Sequence, residues 1–238
     1  MGVIRSLLFT AWLYLVMALV ATLGSPALLM SHRHAMAVIR FWARLTLFGL
    51  RWIAGVRVEF RGLEHRPVGP ALLAGKHQGM LDIVVPFVML DDPCVVMKQE
   101  LMPLPFIGWF AAKCRMIAVD RSAGSAALKG MVKQARDRLA EGRQLLIFPE
   151  GTRAEIGAAP DYKPGIAALY RDLEVPCVPV ATNSGVHWPA HGFRRHPGLV
   201  VYEFLPVIPA GLKRSEFMAL LESRIETGSN ALLEPPAR

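Results

Sequence analysis

Twenty-six consecutive residues close to the amino terminus, SLLFTAWLYLVMALVATLGSPALLMS at 6–31, carry no charged side chain. The run exceeds the roughly 20 residues with which a helix crosses a hydrocarbon core about 30 Å thick. Gly24-Ser25-Pro26 divides it, because glycine ends helices and proline suits the first turn of a new one. The pattern predicts two helices, over 3–23 and 27–53.

The second helix carries a basic stripe. Arg33, Arg40, Arg44 and Arg51 fall within about 20° of one line at the helical advance of about 100° per residue. Trp42, Leu45, Leu47, Phe48 and Trp52 occupy much of the remaining surface. Such a helix suits the membrane interface, where each Arg near an anionic surface contributes about 1 kcal/mol. A hairpin dipping into one leaflet fits best. The alternatives are a signal peptide, which lacks a clear A-x-A site, and a spanning anchor that leaves the body in the cytoplasm.

Composition agrees with a membrane surface. The chain has 238 residues, 53% of them hydrophobic, with a net charge of +8. Apolar and cationic together favour anionic lipid over nucleic acid, for which no lysine-rich run or RNA-binding signature appears. Cys94, Cys114 and Cys177 are isolated, with neither metal-ligand spacing nor a disulfide framework. They read as reduced, buried thiols in a protein facing the cytoplasm.

After Gly55 the character changes. Short β-rich runs recur at 56–60, 71–75, 94–97, 115–119, 145–148, 177–182 and 199–204, with helical candidates at 81–90, 123–140, 164–172 and 214–227. This alternation predicts an α/β domain around a mixed sheet of about seven strands flanked by helices. The organisation is therefore a two-helix membrane module (1–54), an α/β domain (55–227) and a loose tail (228–238).

Sites in open α/β sheets favour the carboxyl ends of strands. Four polar clusters follow predicted strands: KHQGMLD at 76–82, KQEL at 98–101, DRS at 120–122 and PEGTR at 149–153. They would line His77, Asp82, Lys98, Arg121, Glu150 and Arg153 along one rim. His77 and Asp82 are five residues apart, about 140° on an ideal helix, so they do not share a helical face. His77 belongs in the loop and Asp82 in the first helical turn, where the helix dipole favours a carboxylate.

These blocks resemble the glycerolipid acyltransferase family, in particular its 1-acylglycerol-3-phosphate (lysophosphatidic acid) acyltransferases. KHQGMLD is similar to the family's N-H-x-x-x-x-D block, with Lys76 in place of the usual Asn. Phe148 to Arg153 match F-P-E-G-T-R letter for letter. KQELMPLPFIGW and VPVATNSG (178–185) resemble two further blocks, all in family order over roughly 70–185.

The resemblance implies acyl transfer from acyl-CoA or an acyl carrier protein to lysophosphatidic acid, giving phosphatidic acid. It implies His77 as general base oriented by Asp82, and Arg153 with Lys98 as phosphate ligands. Glu150, Gly151 and Thr152 would orient the acceptor, with Glu150 on Arg153 or a glycerol hydroxyl. Lys113 and Arg121 are candidate acyl-donor contacts. Lys76 would add a cation beside His77, available to phosphate. No bound cofactor or metal is expected: His187, His191 and His196 lack neighbouring carboxylates. The expected location is the cytoplasmic face of a bacterial inner membrane.

No Ser or Cys lies within KHQGMLD, which favours direct attack by the substrate hydroxyl over an acyl-enzyme. Other readings remain: an acyltransferase for another lysolipid, such as an amino-acid-containing one; a serine hydrolase using Ser184, without a G-x-S-x-G elbow; and a non-catalytic membrane-binding protein.

Overall fold

A computed structural model describes residues 2–233, with the side chain of Arg121 outside the description. The chain opens with α1 (Gly2–Leu23), a 3-10 turn (Ser25–Leu29), α2 (His32–Gly49) and a π-helical turn (Leu50–Ala54). The body follows as β1 (Val56–Arg61), β2 (Ala71–Gly75), α3 (Pro86–Met89), β3 (Pro93–Lys98), α4 (Ile107–Lys113) and β4 (Ile117–Val119). It continues with α5 (Gly124–Ala140), β5 (Gln144–Ile147), α6 (Gly165–Leu173), β6 (Cys177–Thr182), α7 (Ser184–His187), β7 (Gly198–Phe204) and α8 (Arg214–Ala231).

The seven strands form one sheet in the order β1-β7-β6-β2-β5-β3-β4. Every neighbouring pair is parallel except β6 and β7, so the sheet is mixed, as expected. The central strands β2, β5 and β6 are buried along their whole length. Their near-continuous apolar sequences are what strands covered on both faces require. At the edge, β1 alternates instead, with Arg57, Glu59 and Arg61 exposed.

Helices cover both faces. Leu72 and Ala74 of β2 point one way, into a core with Met131 of α5, Leu169 of α6 and Phe217, Leu221 and Ile225 of α8. Leu73, between them, points the other way, toward Phe9 and Leu13 of α1 and Ala43 of α2. That reversal is the period-two pleat. The two amino-terminal helices thus share a core with the sheet. Phe9 meets Trp188 edge-on at 5.3 Å between ring centres, and Arg5 donates to the Ile53 carbonyl at 2.6 Å.

Several boundaries differ from expectation. Pro26 is the second residue of a 3-10 turn that opens at Ser25, and α2 begins only at His32 after Ser31 in extended conformation. The helix expected over 81–90 is split into a 3-10 turn (Met80–Ile83) and α3, because Pro86 has no N–H and starts a new turn. The helix α8 runs through Ala231, four residues into the expected loose tail. Residues 234–238 of that tail lie outside the described residues.

Candidate active site

Because β2, β5, β3 and β4 are parallel neighbours, their carboxyl ends share one edge. Strands stand about 4.8 Å apart, so the segments after them form a rim. In that order it carries His77, the 149–153 loop, Lys98 and the backbone of Arg121. The side chain of Arg121 is outside the described residues.

The loop after β2 is wound around one carboxylate. Oδ2 of Asp82 accepts the backbone N–H groups of Gln78 (2.6 Å) and Gly79 (2.8 Å) and lies 3.0 Å from His77 Nδ1. Oδ1 accepts the Tyr202 hydroxyl of β7 at 2.6 Å. Burial alone would raise the Asp82 pKa. The hydrogen bond and charge of His77, with the Ser184 and Tyr202 hydroxyls, bring it below the ordinary value. An ionised Asp82 accepts only, so Nδ1 of His77 must donate and Nε2 keeps its lone pair.

The 148–154 segment holds His77 from the other side. Its N–H donates to Glu150 Oε2 at 3.2 Å, and its carbonyl accepts the Ala154 N–H at 2.7 Å. Phe148 stacks on the imidazole with ring centres 4.3 Å apart. Gly151 turns this loop at φ 68°, a left-handed conformation that glycine adopts without steric cost. The VPVATNSG block braces the His77 loop after β2, since Gly185 N–H donates to the buried Gln78 Oε1 at 3.0 Å. A Cβ at Gly79 would sit 2.3 Å from the Trp188 carbonyl oxygen, so glycine is needed for close approach there.

Glu150 differs from expectation. It is 3% exposed and faces Lys76, with Nζ 3.1 Å from its Oε1, rather than Arg153. Burial drives its pKa up to about 7, against the opposing pull of Lys76 and His77. Lys76 also differs: at 4% exposed it turns inward, its Nζ bonding both oxygens of Glu226 in α8 (2.6 and 2.8 Å). It is thereby withdrawn from any phosphate at the rim.

Arg153 and Lys98 are exposed on the rim and, among the described residues, enter no ion pair or side-chain hydrogen bond; Thr152 is exposed beside them. Lys113 is not brought to the site. It ends α4 beside Cys114, whose carbonyl accepts from Arg143 just before β5, at the amino-terminal edge of the sheet. The chain descends along α4 before β4 returns to the rim.

Ser184 is wholly buried behind Asp82, and no hydrogen bond joins it to His77. His187 bonds the His196 carbonyl, while His191 is exposed. The cysteines are buried, and desolvation pushes Cys94 to about 11 and Cys114 to about 12. They are thiols, not thiolates, at neutral pH.

Beside the His77 loop lies an apolar cavity of about 210 Å³, lined among others by Met17, Ala21, Trp42, Met80, Ile83 and Phe110. It joins α1, α2 and α4 to the turn carrying Asp82. The polar His77 loop thus stands next to space suited to hydrocarbon.

Comparison with known proteins identifies the family. A family model described as acyltransferase matches residues 57–183. A 1-acyl-sn-glycerol-3-phosphate acyltransferase of Pseudomonas aeruginosa is 35% identical over 189 residues, covering 79% of this chain and 74% of that one. The alpha form of the same enzyme from Mus musculus is 30% identical over 185 residues, 76% of this chain and 65% of its own. The crystal structure of the 1-acyl-sn-glycerophosphate acyltransferase PlsC of Thermotoga maritima superposes with a TM-score of 0.83 over 100% of both chains. At 18% identity, that last likeness is one of fold.

Proposed function

The chain belongs to the acyltransferase family, and on that premise we propose that it acylates the sn-2 hydroxyl of lysophosphatidic acid from an acyl thioester, giving phosphatidic acid. The observation that carries this reading is the His77–Asp82 pair, with Nε2 left as acceptor, beside an apolar cavity and on the rim that carries Lys98 and Arg153, two cations unpaired among the described residues.

In this mechanism the acceptor hydroxyl gives its proton to Nε2 of His77 as its oxygen attacks the thioester carbonyl. Asp82 stabilises the imidazolium that forms, as the carboxylate does in a serine-protease triad. The tetrahedral intermediate then collapses, the C–S bond breaks, and the imidazolium returns its proton to the thiolate. A positioned base of this kind contributes about 10² to 10⁴ in rate. The steps need side chains and substrate alone, and the burial of Ser184 favours direct transfer over an acyl-enzyme.

Arg153 and Lys98 would bind the phosphate, for which a bidentate guanidinium and an ammonium are suited. The apolar cavity would take an acyl chain. The thioester is that of CoA or an acyl carrier protein, both acidic and matched to a cationic rim. The apolar α1 and the exposed Arg33, Arg44 and Arg51 support a body lying on anionic lipid at the cytoplasmic face of a bacterial inner membrane.

The test is thioester consumption by purified protein in detergent, with a panel of lysolipid acceptors and both donors, beside His77→Ala. Phosphatidic acid should form only from lysophosphatidic acid and only with wild type. Turnover retained by His77→Ala would sink the assigned base; transfer to another lysolipid would overturn the acceptor.

A further inference from the structure

Lys76 directly precedes His77 in the loop after β2, and its surroundings give it a task. Its ammonium lies in a closed polar cluster: both oxygens of Glu226 at 2.6 and 2.8 Å, and Glu150 Oε1 at 3.1 Å. The Tyr162 hydroxyl donates to Glu226 Oε1 at 2.9 Å. Glu150 Oε1 has no hydrogen-bond donor of its own, so its compensation comes from this cation. The other carboxylate oxygen accepts the His77 N–H. One side chain therefore connects the final helix α8, the segment after β5 and the residue read as the base.

We propose that Lys76, anchored by Glu226, is a positioning residue that keeps Glu150 ionised beside His77. This rests on the reading of His77 as the general base. An ionised Glu150 then favours the imidazolium that His77 becomes when it takes the acceptor proton, adding a second negative charge to that of Asp82. Glu226 divides the ammonium between two carboxylates and so limits how strongly it acts on Glu150. The groups facing Glu150 are Lys76 and His77 after β2, Tyr162 before α6, and Glu226 of α8, with Glu222 one turn earlier toward Tyr162. Burial already lifts Glu150 into the neutral range, so small changes in this cluster decide its charge at working pH.

Two substitutions should act in opposite directions. In Lys76→Met the cation is gone, and the acid limb of the kcat–pH profile should move up by about one unit or more. In Glu226→Gln the ammonium belongs to Glu150 alone, and the limb should move down. A direct effect on the imidazole would give the same signs, so each change is repeated in a Glu150→Gln background. There the displacements should vanish if they run through Glu150; persistence would overturn the proposal.

Isotope-edited infrared titration of the Glu150 carboxyl, assigned against Glu150→Gln, reads its protonation without turnover. Its midpoint should rise in Lys76→Met and fall in Glu226→Gln. An equal loss of rate at every pH with an unmoved midpoint would leave Lys76 a structural strut and overturn the proposal. If Lys76→Met does not fold, the downward shift in Glu226→Gln decides alone. A wild type without acyl transfer would defeat the functional reading, while the infrared midpoints would still judge the cluster.

Discussion

The Tyr202 hydroxyl donates to Oδ1 of Asp82 at 2.6 Å, joining residues 120 positions apart. Both are buried, and Asp82 receives its backbone and His77 donors on Oδ2, so among the described residues the Tyr202 bond is the one resolved on the second oxygen. Tyr202→Phe would leave a buried carboxylate oxygen without a partner, at a cost of about 1–3 kcal/mol. We predict that loss in denaturant unfolding. A freer Asp82 also orients the imidazole less well, so kcat should fall about tenfold while the acceptor KM stays within about twofold. Wild-type stability in the Phe variant would show that the bond contributes nothing.

Glu150 and Asp82 make opposite contributions to stability as pH changes. The Glu150 pKa is raised from 4.5 to about 7, so between those values the native state holds its proton more tightly than the unfolded chain. Its stabilising contribution is complete below about 4.5 and is lost as pH rises through 7, on the order of a few kcal/mol. For Asp82, whose pKa is lowered, the contribution is present above the unfolded value and lost as pH falls through the folded one. Unfolding free energies of Glu150→Gln and wild type, measured side by side, should diverge in favour of the variant from pH 4.5 to 7 and run parallel above. A constant difference over that window would contradict the raised pKa.

All seven strands were legible because each is a short β-rich run bounded by turn residues, and β2 and β6 begin and end where the apolar runs do. The His77–Asp82 geometry was also legible, since five residues cannot share a helical face and the carboxylate had to lie in the next turn. What escaped was set by distant packing. Nothing local in LVVYEF marks Tyr202 as the residue that meets Asp82, and nothing in the final helix marks Glu226 as the partner of Lys76. Helix α4 was missed because it is seven residues long and opens after Phe106 at φ 62°, a conformation no propensity suggests. Lys113 went astray for the same reason: without α4, its distance from the rim could not be traced. The sequence offers Arg153 or a glycerol hydroxyl as the partner of Glu150, whereas the buried carboxylate faces the Lys76 cation behind it.

Arg153 and Lys98 are exposed and, among the described residues, unpaired, so removing either should leave the fold unchanged. A charge-assisted hydrogen bond to phosphate contributes about 1.5–3 kcal/mol, which corresponds to roughly 10- to 100-fold in affinity. Arg153→Ala should raise the KM for lysophosphatidic acid by that factor with kcat near wild type. A monoacylglycerol, lacking the phosphate, should be used equally by both proteins. An unchanged KM for lysophosphatidic acid would remove Arg153 from the phosphate site.

The outer face of α1 offers the last test. Phe9, Leu13, Val16 and Val20 are buried and lie within about 40° of a common direction at 100° per residue. Ile4, Leu8, Leu15 and Leu19 form a second cluster about 120° further round the helix, all exposed. A helix apolar all round but covered on one side needs another apolar phase for the remainder. Its inner face is already docked on the body through Arg5, Phe9 and Leu13, which favours lying in the interface over crossing it. The double variant Leu8→Asp, Leu15→Asp places two charges on the outer face without touching the core. Partition onto vesicles containing anionic lipid should fall at least about tenfold, given some 0.8 kcal/mol for each methylene withdrawn from the lipid. Its circular dichroism and its kcat on detergent-solubilised acceptor should match wild type. Unchanged vesicle binding would mean that this face of α1 does not enter lipid.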